Sequence, residues 1–75
     1  MLEPLTNRLL AKLDQHAGMT IQTLCQLLVE PIASITHELS TMENGGMIQR
    51  KSGQIFLTVY GTRMKNEMST TARSY

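Results

Sequence analysis

Two helices joined by a tight turn are encoded in residues 24–48, which read LCQLLVEPIASITHELSTMENGGMI. Pro31 divides this stretch, because proline disfavours helical geometry at the residue before it and suits the first turn of a new helix. Apolar side chains then recur at helical spacing until Asn44-Gly45-Gly46, a strong helix stop. The pattern predicts a helix over residues 31–44 with an apolar stripe formed by Ile32, Ile35, Leu39 and Met42.

Two further helices are predicted upstream. Thr20 offers a hydroxyl N-cap, and apolar residues follow it at i, i+3, i+4 and i+7, which predicts a short helix. Its buried stripe is Ile21, Leu24, Cys25 and Leu28. Nearer the N-terminus, leucines at helical spacing predict an amphipathic helix over residues 5–16, ended by Ala17-Gly18.

A β-hairpin and a final helix are predicted downstream. Two short apolar runs flank Lys51-Ser52-Gly53-Gln54, a polar turn in which the glycine supplies a positive φ, so residues 47–57 read as a hairpin. Two strands are marginal alone, so the hairpin must pack on the helices. Thr58 is the expected N-cap of a fourth helix that ends at Met68.

The composition is that of one small domain. The chain has 75 residues, 41% of them hydrophobic and none of them tryptophan, so the core must be built from leucine, isoleucine and methionine. We expect one domain over residues 1–68 and a flexible tail over residues 69–75. The single cysteine, Cys25, excludes an internal disulfide and a cysteine-rich metal or iron–sulfur site, and its apolar stripe predicts a core residue.

The sequence carries no mark of export, membrane insertion or catalysis. No stretch approaches the roughly 20 apolar residues of a membrane span, and residues 1–4 lack the character of a signal peptide. We therefore expect a soluble, cytoplasmic protein. The carboxylates are scattered, and neither a glycine-rich phosphate loop nor a nucleophile elbow is present. We expect no enzymatic activity, no small-molecule substrate, no cofactor and no metal.

Charge is divided unevenly along the chain, although the net charge is only +1. Residues 21–46 hold three glutamates and no lysine or arginine, whereas residues 47–75 hold five lysines and arginines against one glutamate. The middle of the chain is therefore acidic and the C-terminal part basic.

The order of predicted elements, helix, short helix, turn, longer helix, hairpin and final helix, resembles that of the winged helix-turn-helix regulators of bacteria. Residues 24–48 match their pattern without gaps, and Leu57-Thr58-Val59-Tyr60-Gly61 resembles the Leu-Thr-x-x-Gly that follows the wing in many of them, including the MarR-like ones. The resemblance covers about residues 20–62. It implies a mainly helical α+β fold of three helices, a β-hairpin wing and a C-terminal helix.

Among these families, the chain is similar in size to the small stand-alone regulators of fimbrial operons, the Pap and Fae type. Their wing opens with a run comparable to Gly46-Met47-Ile48-Gln49-Arg50. The chain is less similar to the FeoC-type proteins of ferrous-iron transport, because it lacks their cysteine cluster. It departs from the general pattern at Val29 and Glu30, where the turn often has glycine and an apolar residue.

The resemblance implies a transcriptional regulator that binds double-stranded DNA, with residues 31–44 as recognition helix and residues 47–57 as wing. Serine, threonine and histidine can contact base edges or phosphates, and basic residues at the wing can attract the backbone. Arg63 and Lys65 could add to that attraction, whereas Glu38 and Glu43 would oppose it. Each candidate also fits an ordinary solvated position. The candidates are Ser34, Thr36, His37, Ser40, Thr41, Arg50 and Lys51.

A second hypothesis is a protein–protein interaction module on the same scaffold, either FeoC-like or an accessory regulatory subunit. Its contact would be the acidic helix at residues 31–44 facing a basic partner, or the terminal helix. Met64 and Met68, four residues apart, either cover the core or form a homodimer interface.

Overall fold

The computed structural model describes the backbone of residues 4–73 and the side chains of residues 4–68. Four helices and one antiparallel two-stranded sheet make up this part of the chain, an α+β arrangement that is mainly helical, as predicted. No helix within it is both long and apolar enough to cross a lipid bilayer. The elements are α1 (Leu5–Lys12), α2 (Ile21–Leu28), α3 (Ile32–Asn44), β1 (Ile48–Lys51), β2 (Gln54–Leu57) and α4 (Val59–Arg73).

Helix α1 is shorter than predicted, because it ends at Lys12 instead of residue 16. The Asp14 carboxylate accepts hydrogen bonds from the backbone N–H groups of His16, at 2.8 Å, and Ala17, at 2.9 Å. Aspartate competes in this way with helical hydrogen bonds and favours turns. The amphipathic pattern continues to Leu13, but the local turn ends the helix before the pattern ends.

The predicted caps of α2 and α4 are confirmed. Thr20 Oγ1 accepts from the Thr23 N–H at 3.2 Å, and Thr58 Oγ1 accepts from the Gly61 N–H at 3.0 Å. Helix α4 continues to Arg73, five residues beyond the predicted end. Of the predicted tail over residues 69–75, residues 74 and 75 lie outside the described residues.

The hairpin has the predicted turn. Ser52 and Gly53 both have positive φ, 52° and 77°, as a two-residue type I′ turn requires. Met19 forms an isolated bridge with Ile55 on the other side of β2, through hydrogen bonds of 3.0 and 2.7 Å. This bridge was not predicted, because a single paired residue produces no alternating pattern in the sequence.

The core is one cluster of buried residues from α1, α2, α3, β1 and β2, and the partly buried Met64 and Met68 of α4 pack against it. Ile35, Leu39 and Met42 of α3 are completely buried, as predicted, but Ile32 is 61% exposed. The prediction that Ile32 belongs to the buried stripe is therefore wrong. At the turn between α2 and α3, the buried apolar side chain is Leu28, the last residue of α2. Ile32, the first residue of α3, lies outside the core. Cys25 is partly buried and packs against the cluster.

The turn between α2 and α3 fixes the direction in which α3 leaves α2. Val29 ends α2 in the left-handed conformation, with φ 54° and ψ 51°. Arg8 of α1 holds both sides of this turn: its guanidinium donates to the Leu28 carbonyl at 2.6 Å and to the Glu30 carboxylate at 2.7 Å. One arginine therefore caps α2 and ties the start of α3 to α1.

Candidate nucleic-acid interface

The outward face of α3 carries the five helical candidates. Burial of Ile35, Leu39 and Met42 fixes the rotation of the helix about its axis, so the side chains on the opposite side of the helix point away from the core. The side chains placed on the exposed face are those predicted: Ser34, Thr36, His37, Ser40 and Thr41.

Two further residues belong to this face and were missed. Ala33 and Asn44 are exposed and fall in the series 33, 37, 40 and 44, which is the i, i+4, i+7, i+11 spacing of one helical stripe. The spacing was visible in the sequence. Asn44 was assigned only to the helix stop, and Ala33 has no polar group to draw attention.

Thr41, one of the five candidates, already donates its hydroxyl proton within the chain. Thr41 Oγ1 donates to the His37 carbonyl at 3.2 Å, which leaves its oxygen lone pairs for a ligand but not its proton. In the described part of the chain, the side chains of Ser34, Thr36, His37 and Ser40 form no hydrogen bond with another residue. These four can therefore donate to an acceptor brought to the face.

The two glutamates of α3 both bond to other residues of the chain, Glu38 through a hydrogen bond and Glu43 through an ion pair. The Thr6 hydroxyl of α1 donates to the Glu38 carboxylate, which places Glu38 on the side of α3 that faces α1. Glu38 therefore lies beside the buried stripe and not on the outward face; whether its charge opposes DNA binding stays a prediction. Glu43 lies 3.4 Å from Arg50 of β1 in an ion pair at the end of the helix.

The two basic residues of the hairpin differ in whether their charge is paired. Arg50 is exposed but shares its charge with Glu43, whereas Lys51 ends β1 beside the Ser52-Gly53 turn and forms no ion pair among the described side chains. A backbone hydrogen bond from the Met47 N–H to the Met42 carbonyl, 2.9 Å long, joins the hairpin directly to the last turn of α3. The hairpin and the outward face of α3 are therefore held in a fixed relation.

The two basic residues of α4 that the sequence suggested as phosphate contacts differ in their surroundings. The Lys65 ammonium donates to the Leu13 carbonyl at 2.7 Å and so caps the end of α1. Arg63 is exposed. Within residues 4–68, no group of three histidine, cysteine or acidic side chains is arranged to hold a metal ion.

Three exposed apolar side chains surround the turn between α2 and α3, and their grouping was not predicted from the sequence. Leu27 is 48% exposed, Val29 86% and Ile32 61%. A second exposed pair, Val59 and Tyr60, begins α4. Single exposed apolar residues are common, but these occur in two groups, one of which borders the outward face of α3.

Comparison of the chain with protein-family models, with curated proteins and with solved structures finds no match.

Proposed function

We propose that this chain is a winged helix-turn-helix domain that binds double-stranded DNA, with α3 in the major groove and the β1–β2 hairpin over the adjacent backbone. One observation carries the proposal. Over residues 34–41, the outward face of α3 holds small hydrogen-bonding side chains and no carboxylate, because Glu38 is turned to α1. A helix of this kind can approach base edges closely without repelling phosphates.

Charge around this face is modest, which limits the affinity that one domain can reach. Lys51 supplies one cation at the hairpin tip, and Arg50 supplies a second if a phosphate replaces Glu43 as its partner, since both side chains of that ion pair are partly solvated. Two phosphate contacts give weak, salt-sensitive binding. We therefore infer that useful affinity requires a second copy on the same DNA or a partner protein.

The proposal is tested by titrating the isotope-labelled full chain with a mixed-sequence duplex of about 20 base pairs, two helical turns, at low and physiological salt. We expect amide shifts confined to residues 31–41 and 49–54, with affinity falling as salt rises. Lys51→Gln should weaken binding to all sequences alike and lower the salt slope by about 1. Lys12→Gln is the matched control, because Lys12 is an exposed lysine of α1. Absence of shifts at low salt would overturn the proposal.

A protein-interaction module is the second candidate. Its acidic-helix form has little support, because Glu38 and Glu43 both bond within the chain. A contact through the start of α4 is favoured instead by the exposure of Val59 and Tyr60. Sedimentation velocity of the full chain and of Tyr60→Ser tests the self-association form of this candidate: a dimer that the substitution dissociates supports it, and a monomer at all concentrations contradicts it.

A further inference from the structure

The first turn of α3 exposes a small apolar surface. Ile32, Ala33 and Thr36 are all exposed, and Thr36 lies four residues after Ile32 and three after Ala33, the two spacings that make side chains neighbours on a helix. We call these three residues the methyl patch, because its chemistry consists of the Ile32 aliphatic chain, the Ala33 methyl and the Thr36 γ-methyl. Val29 exposes a further apolar side chain in the preceding turn.

Folding does not account for the methyl patch. Ile32 is 61% exposed, while Ile35, Leu39 and Met42 provide the completely buried contacts of the same helix. An isoleucine that remains mostly in water contributes little to the hydrophobic stabilisation of the core. The patch is continuous with the hydroxyl-bearing face, since Thr36 belongs to both and Ser40 lies one turn further along.

The chemistry of the patch matches one group in the major groove. The C5-methyl of thymine is the apolar feature that base pairs present there, and alanine and the threonine methyl are side chains that contact it. Helix α3 contains no arginine, lysine or glutamine, the side chains that read guanine or adenine through paired hydrogen bonds, and its single asparagine is its last residue. In helix-turn-helix proteins the N-terminal residues of the recognition helix contact base edges, and the patch occupies that end.

We propose that the methyl patch recognises C5-methyl groups in the major groove, so that the chain prefers thymine-rich duplexes by apolar contact. This inference rests on the proposed function and specifies the class of DNA that the same site selects. His37 and Ser40 then supply hydrogen bonds of low selectivity beside the patch, and Lys51 supplies a phosphate contact.

The test uses four synthetic duplexes of equal length and charge: alternating A·T, alternating A·U, alternating G·C, and alternating G·C with every cytosine methylated at C5. Uracil removes the thymine methyl, and 5-methylcytosine adds a methyl at the corresponding position of the groove. We expect binding to A·T to be about threefold or more tighter than to A·U, a factor that burial of one methyl group supplies. Methylated G·C should bind more tightly than G·C by a similar factor.

Two variants of the full chain identify the residues responsible. Ile32→Ser should bring both affinity ratios close to one, and it should leave the fold intact because the side chain is mostly exposed. Val59→Ser is the matched control, an exposed apolar residue of α4 whose replacement should leave the ratios unchanged. Circular dichroism of both variants verifies that they are folded.

The outcomes separate this inference from the proposed function. Equal binding to all four duplexes overturns the methyl inference and leaves DNA binding standing, whereas no binding to any duplex at low salt overturns both. If the affinity ratios are unchanged in Ile32→Ser while sedimentation shows that the substitution dissociates a dimer, the patch is a contact between copies of the chain and the inference is wrong.

Discussion

Val29 holds a backbone conformation that suits its side chain poorly. It is a β-branched residue at φ 54° and ψ 51°, and its side chain is 86% exposed, so packing does not compensate for the conformation. The left-handed region costs an L-residue roughly 1–2 kcal/mol, and glycine or asparagine adopts it more readily. The turn nevertheless forms, because Arg8 bonds to the residues on both sides of it.

Replacing Val29 should therefore stabilise the protein. We expect Val29→Gly to raise the free energy of unfolding by about 0.5–1 kcal/mol, since relief of the strained conformation exceeds the extra entropy that glycine gives the unfolded chain. Val29→Asn should act in the same direction. Val29→Thr keeps the β-branch and is the matched control. Urea unfolding followed by circular dichroism measures all three, and an unchanged or lower midpoint for Val29→Gly would show that the turn is not strained.

At the scale of elements, the start of α4 packs against the segment that joins α3 to β1 and is hydrogen-bonded to it. The Thr58 hydroxyl donates to the Gly46 carbonyl at 2.5 Å and accepts from the Gly61 N–H, while the Thr58 N–H donates to the Met47 carbonyl at 3.0 Å. A Cβ on Gly61 would lie 2.0 Å from that same Met47 carbonyl oxygen. The Leu-Thr-x-x-Gly motif therefore has a structural reason here: threonine caps α4 and glycine allows its close approach.

Gly61→Ala should consequently push the start of α4 away from Met47 and destabilise the protein. The clash is with a backbone atom, which cannot rotate away, so we expect a loss of at least 2 kcal/mol in the free energy of unfolding, toward the upper end of overpacking effects. Gly45→Ala is the matched control, because the nearest atoms to its added Cβ lie at ordinary contact distances of 3.5–3.7 Å and its φ is −82°. Equal stability of the two variants would contradict this account of the motif.

Elements with strong periodicity and recognisable caps were predictable from the sequence, and elements set by single tertiary contacts were not. Thr20, Pro31, Thr58 and the Ser52-Gly53 turn each carry a local signal, and the elements that they begin or connect were found. The end of α1 depends on one aspartate turn. The Met19 bridge depends on pairing with a strand more than thirty residues away along the chain, which leaves no local pattern.

In the candidate site too, features set by local pattern were predictable and features set by contacts with other elements were not. The exposed positions of α3 follow from the burial of its apolar stripe, so the five helical candidates were placed on the outward face correctly. The position of Glu38 depends on a hydroxyl of α1, and the exposure of Ile32 depends on how α2 ends. The spacing of Glu38 from Ile35 and Met42 places it beside the buried stripe, but its partner on α1 and the exposure of Ile32 depend on other elements and could not be predicted from the pattern of α3.

At the scale of the whole molecule, the segment between α1 and α2 is hydrogen-bonded to both β2 and α4. The Leu57 N–H of β2 donates to the Asp14 carbonyl at 2.8 Å, and Lys65 of α4 donates to the Leu13 carbonyl. The Asp14 side chain shapes this segment. Hydrogen bonds from the His16 and Ala17 N–H groups, with a smaller contribution from the Lys65 charge, hold the pKa of the Asp14 carboxyl below its usual value.

This lowered pKa predicts a loss of stability in acid. A carboxyl whose pKa is lower in the folded state stabilises the protein above its unfolded pKa of about 3.9, and that contribution disappears as the pH falls through the lowered folded value. We expect Asp14→Asn to be less stable than the parent chain at neutral pH, with the difference narrowing below pH 4. Asp14→Ser retains a hydrogen-bond acceptor but has no charge, so its stability should depend less on pH than that of the parent chain, as for Asp14→Asn. Urea midpoints across this range measure the effect, and a constant difference would contradict it.

The Met19 bridge also affects how the protein behaves in a crowded solution. A two-stranded hairpin has two edges at which unpaired backbone groups could recruit a strand from another molecule and start aggregation. On the outer side of β2, Ile55 pairs with Met19 and the Leu57 N–H is bonded to Asp14, so that edge is occupied. The outer edge of β1 remains, and it ends in Lys51, which forms no ion pair among the described side chains and which two such edges would bring close to its own copy. The lysine proposed to meet phosphate thus also disfavours pairing of the free molecule with its own copies.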